Sequence, residues 1–276
     1  MKRKYIVTSI CLFVVFTTLQ IHAQEPLHPI TLQLNWIPNV QFAGILLAKD
    51  QGWYDKAGID LKIEAWKFGI SATDEVAAGR AQIGIAEGDA LIKARASGQA
   101  LKAIGVQFQK SAFCLISKKE RGITTPEQLV DTFVGLNSPE SELMTKIVLR
   151  SQGLKYEDIF PVQVGWELDP LIHDEIDVLA AFINNDPLNM RDQGYEVNVI
   201  PAFEYGYDFY SGVYFTTDTM IRQQPELIRA FLDVTWRGWR AAFADPAAAA
   251  QLVVEKYFTE GSASQQTEDR ARHTTL

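Results

Sequence analysis

Thr31-Leu32-Gln33-Leu34-Asn35-Trp36-Ile37-Pro38-Asn39-Val40-Gln41-Phe42-Ala43-Gly44 joins two different periodicities. Residues 31–34 alternate between polar and apolar, as a strand does, while the apolar residues of 40–49 recur at helical spacing. Pro38 and Asn39 punctuate the change, and asparagine is a residue type that caps helices. A second strand pattern follows at 59–66. Strand, helix and strand in this order make a crossover unit, the building block of a parallel sheet.

The same alternation runs down the chain. Strand patterns recur at 82–86, 101–108 and 113–117, with helical patterns at 72–78 and 90–96 that Gly79 and Gly98 stop. A second cycle starts near Lys118. Thr125-Pro126-Glu127 opens a short helix, 133–136 reads as a strand, and 138–152 is a long helix with Pro139 at its first position and Glu140 in its first turn. Strand patterns at 162–164, 178–183 and 197–200 complete that cycle. A last strand at 212–216 precedes helices at 225–243 and 246–257. The expected fold is α/β, with two lobes, mostly parallel sheets and a cleft between them. Lobe 1 takes residues 24–117 and 202–260, lobe 2 is inserted as 118–201, and 261–276 is a polar tail.

Composition narrows the function classes. Hydrophobic residues make up 47% and charged residues 22%, enough apolar material for a packed core. The 34 acidic residues outnumber 26 basic ones and no basic stripe is visible, which argues against a nucleic-acid partner. Lys2, Arg3 and Lys4 precede an apolar run to Leu19, and Ala23 offers a small residue before Gln24. That order is a secretory signal over 1–23; the run is shorter than the ~20 residues a membrane span needs. Its removal takes the formal charge from −8 to −11 and predicts a periplasmic or secreted protein. Cys11 leaves with the signal, so Cys114 stands alone in an apolar run and reads as a small core residue. No disulfide framework follows from one cysteine. The histidines are scattered, and no zinc, phosphate-loop, dinucleotide or nucleophile-elbow motif occurs, so neither metal nor other cofactor is expected.

Chemistry collects instead at the expected strand ends, where ligands bind in open α/β sheets. Asn35, Trp36 and Gln41 flank the end of the first strand. Glu87 follows another, Gln107 ends a third, and Trp166, Asn185 and Asp186 follow two strands of the second cycle. Tyr207, Asp208 and Tyr210 lie where the chain returns to lobe 1. Aromatic rings beside amides suit a small, neutral or weakly charged heterocycle better than a phosphate or a sugar acid. The bland alternative stays open: Asn, Asp, Gly and Pro dominate turns anyway, and Trp36 either offers a stacking platform or packs the strand end.

Several runs carry a family resemblance. Residues 34–44, Gln51-Gly52-Trp53-Tyr54, Ala57-Gly58-Ile59-Asp60 and Ala78-Gly79-Arg80-Ala81-Gln82-Ile83-Gly84 are among them. So are Gly122 to Leu129, Asn184-Asn185-Asp186-Pro187, Tyr207-Asp208-Phe209-Tyr210 and residues 239–246. Together they resemble periplasmic solute-binding proteins of the thiamine-pyrimidine-synthase and sulfonate-binding superfamily. The resemblance implies a type II periplasmic-binding-protein fold, a ligand related to the thiamine pyrimidine precursor, a membrane ABC permease as partner, and a monomer. The enzyme branch of that superfamily uses a histidine in the first helix and a cysteine-rich run; this chain has Gln41-Phe42 and no such run, which implies a non-enzyme. Gln82 stands where an acidic residue is common. Three readings follow: a transporter-coupled binding protein, the input domain of a membrane sensor, and a synthase-like enzyme.

Overall fold

A computed structural model describes residues 26–67 and 69–257 of the chain. The expected signal segment and the 261–276 tail lie outside the described residues. In chain order the first strands and helices are β1 (His28–Gln33), α1 (Ala43–Asp50), α2 (Trp53–Lys56), β2 (Ile59–Glu64), α3 (Ala72–Ala77), β3 (Ile83–Ala86), α4 (Gly88–Ala96) and β4 (Leu101–Phe108). The middle supplies β5 (Phe113–Lys118), β6 (Phe133–Leu136), α5 (Pro139–Ser151), β7 (Phe160–Gln163), α6 (Asp169–Ile172), β8 (Val178–Phe182), α7 (Asp186–Asp192) and β9 (Val197–Pro201). β10 (Ser211–Thr217), α8 (Asp218–Gln223), α9 (Pro225–Ala244) and α10 (Pro246–Lys256) follow.

The strands form two five-stranded sheets, β2-β1-β3-β10-β4 and β7-β6-β8-β5-β9. β1 runs parallel to β2 and β3, and β6 runs parallel to β7 and β8. One strand in each sheet opposes its neighbours: β10 is antiparallel to β3 and β4, and β5 to β8 and β9. Both are strands that the chain enters directly from the other lobe. The pattern at 113–117 reads as a first-lobe strand, yet β5 pairs in the second sheet, so the first crossing falls at 109–112 and not at 118. Local periodicity says that a segment is a strand; it does not name the partner. The second crossing, 202–210, lies beside the first, because Ser211 pairs with Phe108 and Pro201 with Cys114.

Period-two alternation builds a core on both faces of each sheet. Ile30, Leu32, Ile83, Ile85 and Tyr214 meet α1 and α9 on one face of the first sheet, while Ala86, Val213 and Phe215 meet α3 and α4 on the other. In β5, Phe113 and Leu115 join the core under α5, and Cys114 and Ile116 join the core under α6 and α7. Helices α1 and α9 approach through two glycines. A Cβ placed on Gly238 would sit 2.0 Å from the Gly44 carbonyl oxygen and 2.9 Å from the Ala48 Cβ, so only hydrogen fits there.

Two sequence details find physical roles. Asn39 does cap: its side chain accepts the Gln41 N–H at 2.9 Å and starts a short 3-10 turn, Val40–Phe42, ahead of α1. The Gln82 amide oxygen accepts the Thr31 N–H at 2.9 Å and ties β1 to the start of β3, a bond that an amide or a carboxylate oxygen can make.

Candidate functional site

Both sheets point the carboxyl ends of their parallel strands at the gap between the lobes, and aromatic residues occupy those ends. Trp36 follows β1. The Trp66 ring after β2 stacks on it at 5.1 Å, helped by a hydrogen bond from the Trp66 N–H to the Trp36 carbonyl at 3.2 Å. Trp166, which follows β7 in the other lobe, meets Trp36 edge-on at 5.3 Å. Trp166 in turn stacks on Phe182 at the end of β8, at 6.1 Å, and the series continues through Phe113 to Tyr207. A ladder of rings therefore crosses from lobe to lobe. A planar ligand held between two parallel rings needs them about 7 Å apart, twice the ~3.5 Å contact distance. Trp36 and Trp166 stand closer than that and edge-on to each other.

Polar groups lie beside the ladder. Glu87 sits between the end of β3 and the start of α4; its carboxylate accepts from Ser211 Oγ at 2.9 Å and from Asn35 Nδ2 at 3.4 Å. Loss of solvent pushes the Glu87 carboxyl up to about 7, and the nearby charges of Asp89 and Glu140 push the same way, against the Ser211 and Gly212 hydrogen bonds. Asp89, in the first turn of α4, is buried and accepts the Tyr207 hydroxyl at 2.9 Å, a bond that links the first lobe to the second crossing. Asn137, after β6, donates to the Ala180 carbonyl at 3.0 Å.

The structure sorts the residues that the sequence singles out. Asn35, Trp36, Glu87 and Trp166 come together across the gap. Gln107 is half-buried and already bonded at both ends of its amide: its Nε2 donates to the Gln41 carbonyl and its Oε1 accepts the Tyr214 hydroxyl at 3.1 Å. Tyr207 is fully buried in the second-lobe core, so it positions Asp89 and shows no face to a ligand. Asp186 spends one oxygen on the Phe182 N–H at 2.7 Å and the other on Asn185 Nδ2 at 2.9 Å, fixing its own turn; burial raises its carboxyl above the ordinary value. Gln41 is half-buried, whereas Asn185, Asp208 and Tyr210 are exposed. Trp66, Asn137, Glu140 and Ser211 are the residues sequence reasoning missed. Trp66 had a readable signal, a tryptophan at the end of the strand beside Trp36. The others follow from contacts across the fold.

Two α/β lobes joined by two adjacent crossings, each with one reversed strand, make the periplasmic-binding-protein fold. The chain belongs to the NMT1/THI5-like family, whose model matches residues 39–249. It is similar to the riboflavin-binding protein RibY of Chloroflexus aurantiacus, 24% identical over 241 residues that cover 85% of this chain and 68% of the relative. It is also similar to the formylaminopyrimidine-binding protein of Halalkalibacterium halodurans, 23% identical over 79% of this chain and 65% of that one. A third relative is an enzyme by name, the 4-amino-5-hydroxymethyl-2-methylpyrimidine phosphate synthase of Legionella pneumophila, 25% identical over 82% of this chain and 73% of its own. Among solved structures, the periplasmic aliphatic sulphonate binding protein SsuA of Escherichia coli superposes with a TM-score of 0.70 at 16% identity, covering 88% of this chain and 78% of that one, a likeness of fold. No helix among the described residues is long and apolar enough to cross a membrane.

Proposed function

We propose that this chain is an exported solute-binding protein that captures a small heteroaromatic molecule, a thiamine pyrimidine precursor, between its lobes and delivers it to a membrane ABC permease. The observation that carries this reading is the meeting of Trp36 and Trp166 from opposite lobes at 5.3 Å, beside a polar patch at the strand ends. A ring that replaces their mutual contact touches both lobes at once, so its binding is coupled to the hinge motion between them. The binding proteins among the relatives, named for riboflavin and formylaminopyrimidine, support a flat nitrogen heterocycle.

The enzyme reading has less support in the geometry. His28 opens β1, at the end away from the gap, and His173 lies at the far end of α6; both are exposed. Cys114 is fully buried in the second lobe, and burial raises its thiol far above the range in which a thiolate forms.

Calorimetric titration of Trp36→Ala beside a thermal melt tests the capture reading. If Trp36 stacks on the ligand, affinity falls roughly five- to a hundredfold, from ~1–3 kcal/mol of ring stacking, and the fold survives. Unchanged affinity with a collapsed melting temperature would assign Trp36 to packing and remove the centre of the proposed site.

A further inference from the structure

Three buried oxygens beside the gap have no hydrogen-bond partner: Asn35 Oδ1, Asp89 Oδ1 and Asn137 Oδ1. Asn35 and Asn137 follow β1 and β6, and Asp89 lies in the first turn of α4 after β3, so the three come from both lobes. Their orientation is fixed from the other side, since Asn35 Nδ2 is engaged with Glu87, Asn137 Nδ2 with Ala180, and the second Asp89 oxygen with Tyr207. Asp89 is only 7% exposed. A carboxylate has no donor end, so its free oxygen asks for an N–H or O–H whichever way it turns. Buried acceptors left unmatched are rare in folded proteins, and each calls for an explanation in the form of a water or a ligand.

The charges beside these oxygens have one sign. The charged groups that act on the Glu87 carboxyl, Asp89 from α4 and Glu140 from α5, are both acidic. Some of the donors at the two nearby helix starts are engaged within the fold. The first N–H of α4, on Gly88, goes to the Tyr210 carbonyl at 2.9 Å. At the start of α5 the N–H groups of Asn137 and Ser138 both go to Ser141 Oγ, and the Ser141 N–H goes to Ser138 Oγ. A phosphate or sulfonate there would meet the carboxyl groups of Glu87 and Asp89, whose charge opposes its own. Nor do the acids form a cation site: among the described residues no group of three His, Cys, Asp or Glu is placed to hold a metal ion.

We propose that the cleft selects an uncharged or cationic heterocycle bearing at least two N–H or O–H donors, and that it rejects the phosphorylated and sulfonated forms of such molecules. This rests on the capture reading above and adds to it the sign and the hydrogen-bond polarity of the ligand.

Two pairs of probes test it by calorimetry on the full chain: 4-amino-5-hydroxymethyl-2-methylpyrimidine against its phosphate, and riboflavin against its 5′-phosphate. In whichever pair binds, the uncharged member is expected to bind at least thirtyfold more tightly. A phosphate that binds as well as its parent overturns the proposal and leaves the capture reading intact. Failure of both pairs to bind overturns the two together. Asp89→Asn, which keeps an oxygen for Tyr207 and turns the free oxygen into a donor, is expected to shrink the parent-to-phosphate ratio at least fivefold. Glu87→Gln serves the same purpose if Asp89→Asn fails to fold. A ratio untouched by the substitution in a folded variant shows that the acids do not set selectivity, and sinks the proposal.

Discussion

Glu87→Gln exchanges a buried carboxyl for a group of the same shape that does not ionise. In the folded protein the carboxyl is pushed up to about 7 from its ordinary 4.5, chiefly by desolvation, with Asp89 and Glu140 adding to it. Between those two values the folded chain holds a proton that the unfolded chain has released. Stability therefore falls as pH rises through this window, and the loss is complete above pH 7. The gap corresponds to about 3 kcal/mol as an upper figure, and residual solvent around a partly exposed side chain reduces it to roughly 2 kcal/mol. At pH 5 the carboxyl is protonated in the fold, and glutamine can still accept from Ser211 and Asn35, so the two proteins should be close in stability. At pH 8 the variant should gain about 2 kcal/mol relative to the native sequence. Urea unfolding of both, without ligand, at pH 5 and pH 8 measures this double difference, in which titration of the other acids cancels. A gap between the two proteins that is the same at both pH values refutes the placement of Glu87 as a desolvated acid among other acids.

Gly238→Ala should destabilise the protein by ~1–3 kcal/mol, visible as a fall in melting temperature, because the new methyl collides with the Gly44 carbonyl where α1 crosses α9. A rise would mean that the helices move apart freely. Cys114 should resist iodoacetamide in the folded protein and react once urea exposes it, since it is fully buried and its thiol is held protonated. Rapid labelling of the native chain would contradict its placement under α6 and α7.

What the sequence reveals and what it hides divide along one physical line. The turn from β1 to α1 is readable because every signal in it is local: alternation to Leu34, then Pro38, then the Asn39 cap. The crossing at 109–112 is not. Only four residues separate β4 from β5, and two such runs read as neighbours in one sheet, whereas pairing with β8 and β9 decides otherwise. Trp66 was readable as a tryptophan near a strand end, but the strand itself stops at Glu64, and the hydrogen bond from the Trp66 N–H to the Trp36 carbonyl cannot be seen in the sequence. Gln107 and Tyr207 have the chemistry of ligand-binding residues, and the sequence offers no way to see that their partners are Tyr214 and Asp89. Residue type fixes what a side chain is able to bond with; the fold alone decides whether that bond is already made.

The reversed strand β10 also fixes an order of assembly. It lies between β3 and β4, and it begins at Ser211, after the whole second lobe has been laid down. Until then the first sheet is two fragments, β2-β1-β3 and a solitary β4, with open edges facing each other. The second lobe has no such debt to a distant segment, since its five strands lie within Phe113–Pro201. Bringing β10 home closes a long loop and adds non-local pairings, which slows folding and leaves the unfinished edges open to other chains in the meantime. On a chain made from its N-terminus, the lobe that is synthesised first is completed last.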